Sequence, residues 1–530
     1  MPRSISSGRA IVGYVLCSLF FFSCKKSADN LIDINSISSK NPLADAGRPA
    51  PKGTSFYALT SSNQIVNYLS GNPLTEKATL PVTGLQSGEK LLAIDFRPAT
   101  GQLYAVSDQS RIYFINTNTG EAFAPSMTPF SPAINGTMVG FDFNPTVDRI
   151  RLVTNTGQNL RLNPETGGLA AIDGSLNPGS PVVTAVAYSN SFAGSTSTIL
   201  YDIDVATDKL YIQNPPNAGG LVEVGLLGVQ AVGEAGFDIS PDNSVAIAAL
   251  YGRGYEDGQN EESNGNKYRF YYIDLATGKA TNAGKTDKEI IGVAIPTNPV
   301  AYAVTNINSL LIMNPSSGNI VTRTIGNLPA GEMIVGLDMR PATGQLYALS
   351  NASKIYAINM SSGAAAQMGT MPFSSLLTGT SFGFDFNPTV DRIRIVSNTG
   401  QNLRIHPETG AIAAIDPNLN PGTPNVDAVA YTNSFGRPTT TMLFDVDVTT
   451  NMLYQQNPAN AGTLIAIGML GADVSSGNGF DIGGISGNAW GVFTVNNNTG
   501  LYNVNLLTGK ATYQMGLSYS IKGFAIGTGF

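Results

Sequence analysis

The stretch "GFDFNPTVDRIRLVTNTGQNLRLNPETG" at Gly140–Gly167 recurs as "GFDFNPTVDRIRIVSNTGQNLRIHPETG" at Gly383–Gly410, with 24 of 28 positions identical. The match reaches well beyond it. One offset, 243, carries Asp95 onto Asp338, Asp142 onto Asp385, Tyr188 onto Tyr431 and Asp238 onto Asp481. Near Tyr251–Phe270 the offset falls to 231, because the first half holds 12 residues that the second lacks. An insertion that one copy does without belongs on a surface loop. Whatever fold the chain adopts must therefore be buildable twice.

A shorter period lies inside each half. Turn signals of the Asn-Pro-x-Thr-Gly kind recur at Asn72, Asn116, Asn163, Asn214, Asp274, Asn314, Asn359, His406, Asn457 and Asn505. Asn or Asp bonds the backbone ahead of it, Pro presets φ, and Gly takes the left-handed position, so each signal marks a hairpin. Ten turns make five units per half. Within a unit, "VGFDF", "RIRLV", "QNLRL" and "GLAAI" read as four short strands, and the period-two alternation of the middle pair excludes an amphipathic helix. Four antiparallel strands every 45 or so residues is the pattern of a β-propeller blade. The expected fold is all-β, a propeller of ten four-stranded blades.

The ends predict how it closes. Phe56–Thr60 is a second strand without an innermost partner, and Lys522–Ile526 is an innermost strand with nothing after it. Joining them gives one ten-bladed ring. Joining Ile291–Ile295 to Phe56–Thr60 instead gives two five-bladed propellers. Only "PTNPV" links Ile295 to Ala301, and five extended residues reach about 17 Å, which favours one ring.

The N-terminus reads as an address. Arg3 and Arg9 precede an apolar run, Ala10–Ser23, too short to cross a bilayer, followed by Cys24. "FFSC" resembles the lipobox of bacterial lipoproteins, with Phe21 where Leu is usual, and this implies lipidation at Cys24 and anchorage in the bacterial outer membrane. The expected organisation is a signal peptide at 1–23, a flexible tether at 24–53, and five-blade repeats at 54–295 and 296–530. The long motif, with "RPATGQLYAVS" before it and "AVAYSNSF" after it, resembles an uncharacterised bacterial family of exported proteins, a domain of unknown function, present in two tandem copies. That resemblance brings no activity with it.

Charge and residue inventory narrow the functions. Net charge is −7, and no basic run follows the N-terminus, which argues against nucleic acid. Both cysteines precede residue 25 and there is one histidine, His406, at a turn position. Thiolate, Cys/His zinc and Ser-His-Asp chemistry therefore have nothing to build on. Asp95, Asp142, Asp238, Asp338, Asp385 and Asp481 fall in innermost strands, where they are expected to form a polar ring able to hold Ca²⁺, or else to cap a loop or pair with a nearby arginine such as Arg149 or Arg97. The ring is incomplete, since Ala187, Ala294, Ala430 and Ala525 take the same place in other units. Arg149, Arg151 and Arg161, with Arg392, Arg394 and Arg404, form a cationic strip for acidic sugars or are simply exposed or ion-paired between blades. Asp202–Asp208 reads as a hairpin turn, and Glu256–Glu262 as a solvated acidic loop. The expected role is binding or scaffolding of a protein or glycan. A carbohydrate hydrolase or lyase using the inner carboxylates and a purely structural envelope protein are the alternatives.

Overall fold

A computed structural model of the chain describes residues 53–71, 74–253 and 267–530. Cys24, the expected signal peptide, most of the expected tether, the start of the turn expected at Asn72 and the segment Glu256–Glu262 expected to be an acidic loop lie outside the described residues. Among the described residues are ten four-stranded antiparallel sheets, as the turn count predicts. The third holds Val139–Asn144, Arg149–Thr154, Asn159–Leu162 and Leu169–Ile172, strand for strand the four segments read from the duplicated motif. Its outer hairpin has the expected chemistry. Asn163 Oδ1 accepts the Glu165 N–H at 2.8 Å, and Gly167 closes the turn at φ +65°. Asp204 likewise caps the hairpin in Asp202–Asp208 by accepting the Ala206 N–H.

The ring count differs from the one the linker favoured. Ile290–Ala294 pairs with Ser55–Thr60, and Ile521–Ile526 pairs with Ala301–Thr305. Each half thus closes on itself, and the molecule is two five-bladed propellers in place of one ten-bladed ring. Closure uses the expected device in both rings: a late innermost strand completes the blade begun by the first outer strands, leaving no open edge between them.

The short linker suffices because the rings meet face to face, through the loops that follow their innermost strands. Tyr302 Oη donates to the Ala99 carbonyl at 2.8 Å, Gly529 N–H to the Thr100 carbonyl at 2.9 Å, and Arg97 Nη1 to the Gly344 carbonyl at 3.1 Å. Phe435 from the second ring packs edge-on against Phe114. "PTNPV" has only to cross this contact.

Five blades make a narrow channel. Adjacent innermost strands come so close that a Cβ on Gly236 would stand 2.6 Å from the Gly292 carbonyl carbon, and one on Gly523 2.7 Å from the Leu337 nitrogen. Between blades lie apolar layers. One joins Tyr104, Phe114, Phe141, Phe143, Ile150 and Leu152, all buried; burial of this kind supplies most of the fold's stabilisation.

Candidate functional site

The inner-strand aspartates converge. Asp95, Asp142 and Asp238 are buried on three innermost strands of ring one, with carboxylate oxygens within 4.8 Å of one another, and Asp338, Asp385 and Asp481 repeat the group in ring two. Their alternation with large apolar residues sends the carboxylates inward while Phe141 and Phe143 go into the inter-blade layers. None of the six is paired with an arginine. Instead each reaches the backbone of the next innermost strand. Asp95 accepts the Phe143 N–H at 2.8 Å, Asp142 the Tyr188 N–H at 3.1 Å, and Asp238 the Ile295 N–H. Ring two repeats this at Phe386, Tyr431 and Ile526.

Three ionised carboxylates cannot share such a space. Two unit charges 4–5 Å apart repel by roughly 3–4 kcal/mol even at an effective dielectric of 20, and desolvation adds to this. Burial, then the neighbouring Asp238 charge, holds Asp95 well above the usual carboxylate range. Burial, then Asp95 and Asp238, does the same to Asp142. Burial pushes Asp238 and Asp481 up to about 7. As a Ca²⁺ cage the group is poorly provided. Five of its ring-one oxygens already accept backbone N–H bonds, whereas Ca²⁺ takes 6–8 oxygens.

Four of the six arginines are ion-paired within their own blade, and two of these also bond the next blade. Arg151, 2% exposed, donates to Asp173 at 2.6 Å, Asn159 at 2.7 Å and Asn217 at 2.8 Å, so it ties the third blade to the fourth. Arg161 holds both oxygens of Asp173. Arg394 and Arg404 repeat this around Asp416. Arg149 and Arg392 each donate to a neighbouring carbonyl, of Asp148 and Asp391. They form no open cationic strip. Asp202, opposite Arg151, is fully buried with neither oxygen bonded, and Asp445 matches it. Burial raises both carboxyls well above the usual range, opposed by Arg151 and Arg394.

Two open grooves were not singled out by the sequence motifs. They lie in corresponding parts of the two rings, at the outer strands of the fifth blade, and the ring-one groove also reaches Tyr68, Leu74 and Glu76 of the first blade. The ring-one groove, about 640 Å³, carries Tyr68, Tyr251 and Tyr268 among Glu76, Lys267, Lys285, Asp287 and Glu289. The ring-two groove, about 750 Å³, carries Tyr502, Tyr513 and Tyr519 among Asn, Ser and Thr. The available signal was divergence between the halves: Lys267, Lys285, Asp287 and Glu289 become Asn498, Gly516, Ser518 and Ser520.

Sealed carboxylates, arginines that tie blade to blade and open grooves define a tandem β-propeller, two rings built on one plan. The chain belongs to the family described as domain of unknown function DUF4394, whose model matches residues 64–294 and again 296–525. No curated protein matches it. Similar solved structures include an extracellular domain of BT4673 from B. thetaiotaomicron, described as a one-component system, at 11% identity and TM-score 0.24, covering 89% of this chain and 73% of that one. Another is a structural genomics protein of unknown function from Bacteroides thetaiotaomicron VPI-5482, at 12% identity and TM-score 0.30, covering 52% and 84%. Likenesses this distant carry no argument about function. Among the described residues no helix is long and apolar enough to cross a membrane.

Proposed function

We propose that this protein is an exported, lipid-anchored binding module, held to the bacterial outer membrane through Cys24 and presenting two rigid propellers to a glycan or protein partner. The observation that carries the reading is the separation of acid from access in ring two. The carboxylate groups in the channels are buried and spent on backbone N–H bonds, while the open ring-two groove is lined largely by tyrosine and neutral polar side chains, with no Asp or Glu. The inner aspartates act as fasteners that share protons, each linking one innermost strand to the next. Incubating the full chain, purified in detergent, with a panel of polysaccharides tests the reading. Retention without release of new reducing ends is expected, and turnover of any of them would overturn it. Anchorage is checked by labelling cells with an alkyne fatty acid: Cys24→Ser should lose the label and leave the membrane fraction.

The hydrolase alternative has one observation in its favour. Glu234, half-buried in the fifth blade of ring one, is held above the ordinary carboxylate range by burial and by the nearby Glu289 charge, and Glu289 lines the groove. A raised acid beside a second carboxylate is the pairing that glycoside cleavage uses. Reducing-end release abolished by Glu234→Gln would establish it.

A further inference from the structure

We infer that the ring-two groove binds an uncharged glycan, with Tyr513 and Tyr519 as stacking surfaces. This rests on the binding-module reading and names its ligand chemistry and site. The groove opens between the strands Ala489–Val495, Asn498–Val504 and Ala511–Gly516 and the loop that leads to Ile521–Ile526. Tyr513 is 58% exposed and Tyr519 38%, an unusual outlay of aromatic surface to water on a chain with this little charge. Tyr513 is also fixed in place. Beneath it Tyr502, itself only 8% exposed, meets its ring edge-on at 5.6 Å and 75°. A ring held this way presents its electron-rich face to a ligand without losing rotamer entropy on binding. The partners for such a face are the weakly positive C–H bonds on one side of a pyranose.

Around the tyrosines stand hydroxyls and amides that could meet sugar hydroxyls. Thr494 Oγ1 and Thr499 Oγ1 lie 3.1 Å apart, Asn478 Nδ2 donates to Thr494 at 2.7 Å, and Asn498 Nδ2 is tied to the Asn496 carbonyl at 3.0 Å. The floor is thus preorganised. No Asp, Glu, Lys or Arg lines the groove. That excludes recognition by charge, and it withholds the two carboxylates that cleavage would need. At about 750 Å³ the space lies within the range of small-ligand sites and suits a short oligosaccharide. The matching ring-one groove, with two lysines and three acids, lacks this neutrality.

The test is calorimetric titration of the full chain with neutral oligosaccharides (cello-, xylo-, manno- and malto-hexaose), with an anionic oligogalacturonate as control. At least one neutral glycan should bind with little dependence on salt, and Tyr513→Ala should weaken it at least about tenfold, Tyr519→Ala less. Because Tyr513 is exposed, both variants should melt as the parent does. Binding of none of the four, preference for the anionic glycan, or binding unchanged in Tyr513→Ala would overturn the inference. The last two outcomes leave the binding-module reading standing, whereas release of reducing ends would sink that reading.

Discussion

The third blade and the fifth blade of each ring have diverged to different degrees from a common duplicate. In the third, 24 of 28 residues are the same in both copies, and the differing ones are mild: Leu for Ile within the core, Thr for Ser, and His406 for Asn163 at a turn, which gives up the Asn163 Oδ1 cap on the Glu165 N–H and leaves the His406 Nδ1 without a partner. In the fifth, tyrosines and charges have been exchanged around grooves that keep their place. Physical demand explains the contrast. Arg151 and Arg394 each hold partners on two blades, so an exchange there strands a buried carboxylate. A groove residue such as Tyr513 or its counterpart Asn282 answers to solvent, and substitutions at such sites change stability little.

If the third blades are equivalent scaffold, Arg151→Ala and Arg394→Ala should be the costliest changes and should cost alike. Each takes one of two arginines from a buried carboxylate, Asp173 or Asp416, and cuts the tie to the next blade, and about 3–5 kcal/mol is expected, read by denaturant unfolding. A gap above about 1 kcal/mol between the two would break the equivalence. Arg97 and Arg340 sharpen it, since their surroundings are not alike. Arg97 is fully buried, reaches the Gly344 carbonyl across the ring contact and pairs with Asp148 and Glu165. Arg340 pairs with Asp391 and with Glu408, whose side chain is 63% exposed. Arg97→Ala should therefore destabilise more than Arg340→Ala, by about 1–2 kcal/mol. Equal losses would mean the ring contact contributes nothing through Arg97.

Much of this architecture was legible in the sequence, because turns and strand alternation are local. The Asn163 turn, the four strands from Val139 to Ile172, and the unpaired second strand at Phe56 each state their role within a few residues. The inner aspartates were legible as a set facing the channel, but not as two groups of three, because grouping depends on the ring count. That count was misjudged from the linker length. The linker measures the distance between facing loops, and the sequence does not say that the rings meet there. A better signal was present in the glycines of "VGFDF", "AGFDI" and "KGFAI": such close approach of innermost strands requires a small ring. The ring-one groove was illegible because Tyr68 and Glu76 meet Tyr251 and Tyr268 from the opposite end of the half, and the ring-two groove because nothing local says which of Tyr502, Tyr513 and Tyr519 face water.

The channel acids predict a pH dependence common to both rings. Asp238 and Asp481 go from an ordinary 3.8 to about 7 on folding, so between those limits the folded chain holds more protons than the unfolded one. Their contribution is complete below about pH 4 and is lost as pH rises toward 7. Melting temperature should fall from pH 5 to pH 8, with a loss on the order of 1–2 kcal/mol per ring. Asp238→Asn and Asp481→Asn should each remove part of the slope, in equal measure. Asp142→Ala should lower stability equally with Ca²⁺ and with chelator; a Ca²⁺-dependent difference would reassign the fasteners as a metal site.

The smallest effect is expected where the rings differ most. Tyr513→Asn gives ring two the ring-one residue, Asn282, at an exposed position on an outermost strand. It removes one edge-on contact with Tyr502, so stability should change by no more than about 0.5–1 kcal/mol. The reciprocal Asn282→Tyr should be similarly mild, since Asn282 is also exposed and bonds only the Gly284 N–H of its own strand. If either exchange unfolds its ring by more than about 2 kcal/mol, the fifth blade is constrained scaffold like the third. Its divergence would then reflect compensated repacking, and Tyr513 would owe its place to packing and not to a ligand.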